Sequence, residues 1–96
     1  MASYLVLGNY TDEGIRNIKD SPNRLAAVRQ AVEAVGGRLI FFYLTMGQYD
    51  FVSLAELPND EVAATLLLKV GGQGNARTTT LKAFTEDEYE SIVASL

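Results

Sequence analysis

The chain has 96 residues, enough for one domain (residues 1–96), and its 8 basic and 12 acidic side chains leave a net charge of −4. Cys, His and Trp are absent, which excludes disulfides, Fe–S clusters, thiolate nucleophiles, Ser-His-Asp triads and imidazole-held metals. Acid–base chemistry would have to run on carboxylates, Tyr or Lys; no cofactor is expected, and no metal, because no Asp/Glu spacing suggests an all-oxygen site.

Residues 3–10, from Ser3 to Tyr10, read as a buried strand: a short apolar run rich in β-formers. Thr11, Asp12 and Glu13 supply a cap and two acids for a short helix carrying Ile15 and Ile18. Ser21-Pro22 restarts the helix, with Ser as N-cap and Pro at the first helical position. Leu25, Val28, Val32 and Val35 form its apolar stripe, and Gly36-Gly37 ends it.

A strand follows from Arg38 to Thr45, then a Gly47-Gln48 turn and a returning strand from Tyr49 to Glu56. Pro58 to Glu61 opens a helix with Val62, Leu66, Leu67 and Val70 inward, and Gly71 to Gly74 closes it. That glycine stretch lies between helix and strand. A phosphate loop runs the other way, so a cap is the better reading. Asn75 to Phe84 is the fourth strand. Thr85 and Glu88 then form a capping box, with Phe84 placed to staple onto Tyr89.

The order β-α-β-β-α-β is the ferredoxin-like α+β pattern, predicting a four-stranded antiparallel sheet with an added C-terminal helix. A two-residue turn would pair Thr45 with Asp50 and put Ile40, Phe42, Leu44, Met46, Tyr49, Phe51 and Ala55 on one face. Leu39, Phe41, Tyr43, Thr45, Asp50, Val52, Leu54 and Glu56 would share the other. Both faces are mainly apolar, while helices can cover only one. The face of Asp50 is therefore expected to meet a partner, most simply in a homodimer or higher homo-oligomer. On the fourth strand, Leu81 and Ala83 are expected inward and Thr78, Thr80 and Lys82 outward.

Residues 1–84 hold all 8 basic side chains and 8 of the 12 acidic ones; the net −4 sits in Glu86, Asp87, Glu88 and Glu90. The cations are scattered, which argues against nucleic acid. No stretch is long and apolar enough to span a bilayer, and no signal peptide is visible, so a cytoplasmic location is expected.

Gly47-Gln48-Tyr49-Asp50 is the constellation that stands out. Asp is depleted in strands, so Asp50 needs a reason: hydrogen bonds from Thr45 or a Tyr hydroxyl, an Arg partner, or a functional role. Tyr4, Tyr10, Tyr43 and Tyr49 read first as packing aromatics, and alternatively as the lining of a pocket.

The Gly-x-Tyr-Asp hairpin followed by Phe51-Val52 resembles the GYD domain family. So do the stretch from Gly74 to Thr85 and the early run from Tyr10 to Pro22. The resemblance covers nearly the whole chain. It implies a fold akin to the dimeric α/β-barrel proteins and no catalytic residue; Gly47, Tyr49 and Asp50 match the naming motif. Two functional readings follow. One is a non-enzymatic domain that homo-oligomerises and binds a small molecule or a protein. The other is a cofactor-free enzyme acting on a small organic substrate, with Asp50 as acid or base and Tyr49 or Tyr43 orienting the substrate.

Overall fold

A computed structural model describes the whole chain, Met1–Leu96. Strand β1 (Ala2–Tyr10) leads into α1 (Asp12–Arg16), a 3-10 turn (Ile18–Asp20) and α2 (Ser21–Ala34). Strands β2 (Arg38–Leu44) and β3 (Phe51–Leu57) follow, then α3 (Asp60–Gly72), β4 (Ala76–Ala83) and α4 (Glu86–Ala94). The strands form one antiparallel sheet in the order β2-β3-β1-β4. This is the predicted ferredoxin-like α+β arrangement with its added C-terminal helix.

Local chemistry sets the helix ends. The Thr11 hydroxyl accepts the Gly14 N–H and donates to the Gly74 carbonyl, so one side chain both caps α1 and ties it to the α3–β4 turn. Helix α2 starts one residue earlier than a Ser21 cap would have it: Ser21 is already helical, and the 3-10 turn provides the entry. Gly36 takes φ +85° and ends that helix. Asn59 caps α3 by accepting the Val62 N–H at 2.9 Å. Thr85 and Glu88 make both bonds of the capping box at α4. The Glu88 carboxyl is held below its ordinary value by the Thr85 backbone N–H and then by the Thr85 hydroxyl.

Helices α2 and α3 cover one face of the sheet. The core there is Tyr4, Val32, Ala55, Leu57 and Ala63, with Leu39, Val28 and Leu66 against it. Two facing expectations need correction. Leu39 lies on this inner face, opposite Ala55, whereas Phe41 opposes Leu54 on the outer one. The register shifts between them, leaving Ile40 as the extra residue of a β-bulge, so the alternation that read Leu39 with Phe41 breaks at that point. Strand β4 is inverted relative to expectation. Lys82 pairs with Tyr4 and Leu81 with Leu5, which turns Thr78, Thr80 and Lys82 towards the helices and Leu81 and Ala83 away from them.

An inward Lys82 is stable because it has a partner: its Nζ lies 3.4 Å from Asp60, at the start of α3. The buried Tyr4 hydroxyl donates to the same carboxylate. That bond, with burial second, pushes the Tyr4 hydroxyl up to about 12, while the Asp60 carboxyl is held below its ordinary value by Tyr4 and then Lys82. The folded protein keeps the Tyr4 proton where an unfolded chain, with a value of 10.0, loses it. This stabilisation is therefore full below pH 10 and is lost as pH rises through about 12. The Asp60 contribution runs the other way: it is present above pH 3.8 and declines as pH falls. In Tyr4→Phe the last step of the tyrosinate absorbance titration should disappear, together with the alkaline slope of stability. An unchanged slope would show that the Tyr4–Asp60 bond is not its source.

Helix α4 stands apart. It buries no residue and makes no substantial contact with another element. Phe84 and Tyr89, expected to staple, are both largely exposed. The molecule measures 49 × 31 × 18 Å with a radius of gyration of 14.3 Å, against about 12.5 Å for a compact chain of this length.

Candidate functional site

The connection between β2 and β3 is looser than a two-residue turn. The ladder ends where Leu44 faces Phe51, and Thr45 to Asp50 form an irregular loop. One backbone bond, from Thr45 N–H to the Asp50 carbonyl, joins the expected Thr45–Asp50 pair. Leu44 pairs with Phe51 and so lies on the helix-side face as expected, but at 72% exposed it is beyond the reach of the helices; Met46, in the loop, is 98% exposed. Gly47 has φ +138°, a conformation that costs Gly little.

Asp50 spans to β1 on both its groups. Its N–H donates to the Gly8 carbonyl at 2.8 Å, and its carboxylate accepts the Tyr10 N–H at 2.9 Å. Strand β3 begins only at Phe51, so the last N–H of β1 on that side has no strand carbonyl to meet, and the carboxylate takes its place. The expected donors, Thr45 and a Tyr hydroxyl, are not used: the Thr45 hydroxyl donates to the Tyr49 carbonyl instead. Removing the acceptor should be felt. Asp50→Ala is expected to cost about 2 kcal/mol, and Asp50→Asn, which keeps an uncharged acceptor, about 1 kcal/mol. Unfolding midpoints at the wild-type value for both variants would show that this bridge is not stabilising.

The other predicted site residues do not converge. Tyr43 is 61% exposed and stacks on Phe41, ring centroids 4.8 Å apart, on the face away from the helices. Tyr49 and Gly47 stay in the loop. None of Gly47, Tyr43, Tyr49 and Asp50 lines the apolar cleft between the sheet and the helices.

That outer face is built in cross-strand rows. Phe41, Leu54, Leu5 and Leu81 run across all four strands, and Tyr43, Val52, Leu7 and Thr79 form the next row. An Arg38–Glu56 ion pair closes one margin. Helices α2 and α3 lie on the other face; here Tyr43 and Leu81 are exposed, while Phe41, Leu54, Leu5, Val52 and Leu7 are half-buried. No helix of the chain is long and apolar enough to cross a membrane.

The cleft lies on the opposite side, between the sheet and α2 with α3, and has a volume of about 140 Å³. Small residues leave this space: Ser53, Ala55 and Ala76 on the sheet and Ala63 on α3, all buried. Tyr10, Phe51 and Phe42 make an aromatic floor at one end, with centroids 5.3 Å and 5.2 Å from the central Phe51 ring. Sequence reasoning missed this cleft. Its signal was the run of small residues at core-facing positions 53, 55, 63 and 76.

Comparison with known proteins gives three likenesses. The family model described as GYD domain matches residues 4–93. A relative from Thermus thermophilus, named glutamine synthetase and cystathionine beta-lyase binding protein, is 32% identical over 84 residues. The match covers 86% of this chain and 88% of the relative. The crystal structure of TTHA0845, also from Thermus thermophilus, superposes with a TM-score of 0.54 at 25% identity, covering 88% of this chain and 95% of that one.

Proposed function

The chain belongs to the GYD domain family, and from that membership we propose that it is a protein-binding module that works as a homodimer joined through the uncovered face of its sheet. The observation that carries this reading is the two-row apolar surface of Phe41, Leu54, Leu5, Leu81, Tyr43, Val52 and Leu7 on the face away from α2 and α3, with Tyr43 and Leu81 exposed and the others half-buried. Surfaces of that kind mark interaction sites.

Area argues for a second copy as the occupant. Four strands of this length present about 500 Å², from a strand spacing of about 4.8 Å and a rise of about 3.3 Å per residue. A stable interface needs about 800 Å² per partner. The exposed Tyr89, Ile92, Val93 and Leu96 of the projecting C-terminal segment offer the remainder, if α4 lies on the other protomer. The relative's name supports protein binding as the role, with a metabolic enzyme as the further partner. A cytoplasmic location goes with this reading.

Light scattering after gel filtration tests the assembly: twice 10.5 kDa is expected at micromolar concentration, and a mass of 10.5 kDa would overturn the dimer. Mixing with purified glutamine synthetase of the same organism tests the partner. A co-eluting complex is expected. Separate elution of both proteins, and likewise with cystathionine beta-lyase, would overturn the enzyme-binding role.

A further inference from the structure

We infer that the cleft between the sheet and α2–α3 is a binding site for a small aromatic carboxylate. Four observations converge on that chemistry. The first is size and wall: about 140 Å³, with 16 of its 22 lining residues hydrophobic, is close to the volume of an apolar cavity that takes up one benzene ring, about 150 Å³.

The second is the floor. Tyr10, Phe51 and Phe42 are neighbours on adjacent strands, and their rings stand 5.3 Å and 5.2 Å apart in tilted and stacked pairs. A planar guest can join such a set by offset stacking.

The third is charge. Arg24 is the one charged residue of the lining, which holds no carboxylate. Its guanidinium donates to two backbone carbonyls, Asn17 at 2.9 Å and Gly14 at 3.5 Å, and forms no ion pair. Donors remain free on a group with a fork suited to carboxylates. Topology puts Arg24 at the aromatic end. The first turn of α2, the last residue of β1 and the first of β3 all lie at that end of the sheet, with Gln73 and Asn75 beside them. The first turn of α2 holds no acidic residue; its N-cap, Asp20, accepts from the Asn23 amide and lies outside the lining. Glu13, beside Gly74, is outside the lining.

The fourth is an unpaired hydroxyl. Ser53 is only 7% exposed and lines the cleft, yet its side chain takes part in none of the hydrogen bonds of the fold. Every fully enclosed side-chain polar atom has a partner, so the Ser53 oxygen keeps an open side, and the cleft provides it. A polar group placed in an apolar wall is what fixes the orientation of a guest.

The test is NMR titration of the full-length protein with benzoate, and with benzamide as its neutral isostere. Benzoate is expected to shift the amide signals of Tyr10, Phe51 and Ser53 saturably, with benzamide at least tenfold weaker. Arg24→Gln should erase the preference for benzoate, and Ser53→Leu, which fills the cleft, should abolish binding of both. Should Ser53→Leu fail to fold, the Arg24→Gln comparison decides. Equal affinity for benzoate and benzamide, shifts confined to the outer face of the sheet, or no saturable shift at millimolar benzoate would each overturn the assignment.

Discussion

Gly14→Ala is expected to destabilise the fold by about 3 kcal/mol, a fall of more than about 10 °C in melting temperature for a domain of this size. A Cβ on Gly14 would sit 2.0 Å from the Asn75 carbonyl oxygen and 3.0 Å from its carbon. Those are backbone atoms and cannot swing aside. The same carbonyl accepts the Thr11 N–H at 3.1 Å, and the neighbouring Gly74 carbonyl accepts the Thr11 hydroxyl at 2.6 Å. Relief would mean lifting α1 off the start of β4 and losing both bonds. Gly71→Ala is the matched control. It lies in α3 with nothing within 4 Å of the added Cβ, so it should be neutral or stabilising by about 0.5 kcal/mol. Equal unfolding midpoints for the two variants would refute the steric account.

The parts of this fold that were legible in the sequence are the ones decided within a few residues. The Thr85–Glu88 box, the Thr11 cap and the glycine stop after α2 each involve groups three to five positions apart, and sequence spacing alone brings them together. What was not legible depends on distant partners. The bulge at Ile40 turns Leu39 inward because Leu39 and Phe41 take adjacent partners, Ala55 and Leu54, on β3. Lys82 faces the helices because Asp60, on another element, offers it a carboxylate. Hydropathy put Leu81 inside instead, although β4 is an edge strand whose two faces are both partly wet. Asp50 was singled out for being a poor strand residue, and its bond to Tyr10 N–H spans 40 positions. The cleft was hidden for a related reason. Small residues at 53, 55, 63 and 76 read as ordinary core until the helices are seen to leave the space above them unfilled.

Leu54→Arg is expected to weaken the proposed dimer by more than 100-fold, shifting the light-scattering mass at micromolar concentration from twice 10.5 kDa towards 10.5 kDa. Leu54 is on β3, an inner strand of the sheet, flanked on the outer face by Phe41 and Leu5. In a dimer through that face it would lie near the centre, away from the polar margin of Arg38 and Glu56. An arginine there would carry two unpaired charges into a dry interface, one from each protomer. An unpaired buried charge costs several kcal/mol, and every 1.4 kcal/mol is about a tenfold change in affinity. The fold itself should survive, because in the single chain the outer face meets water and a long cation can reach solvent along it. Leu68→Arg separates the interface from a general effect of charge: Leu68 is 77% exposed on α3, on the helix side of the molecule. That variant should keep the wild-type mass. A Leu54→Arg protein that remains fully dimeric, with an unchanged far-ultraviolet spectrum, would move the interface off this face and leave the apolar rows without the partner proposed for them.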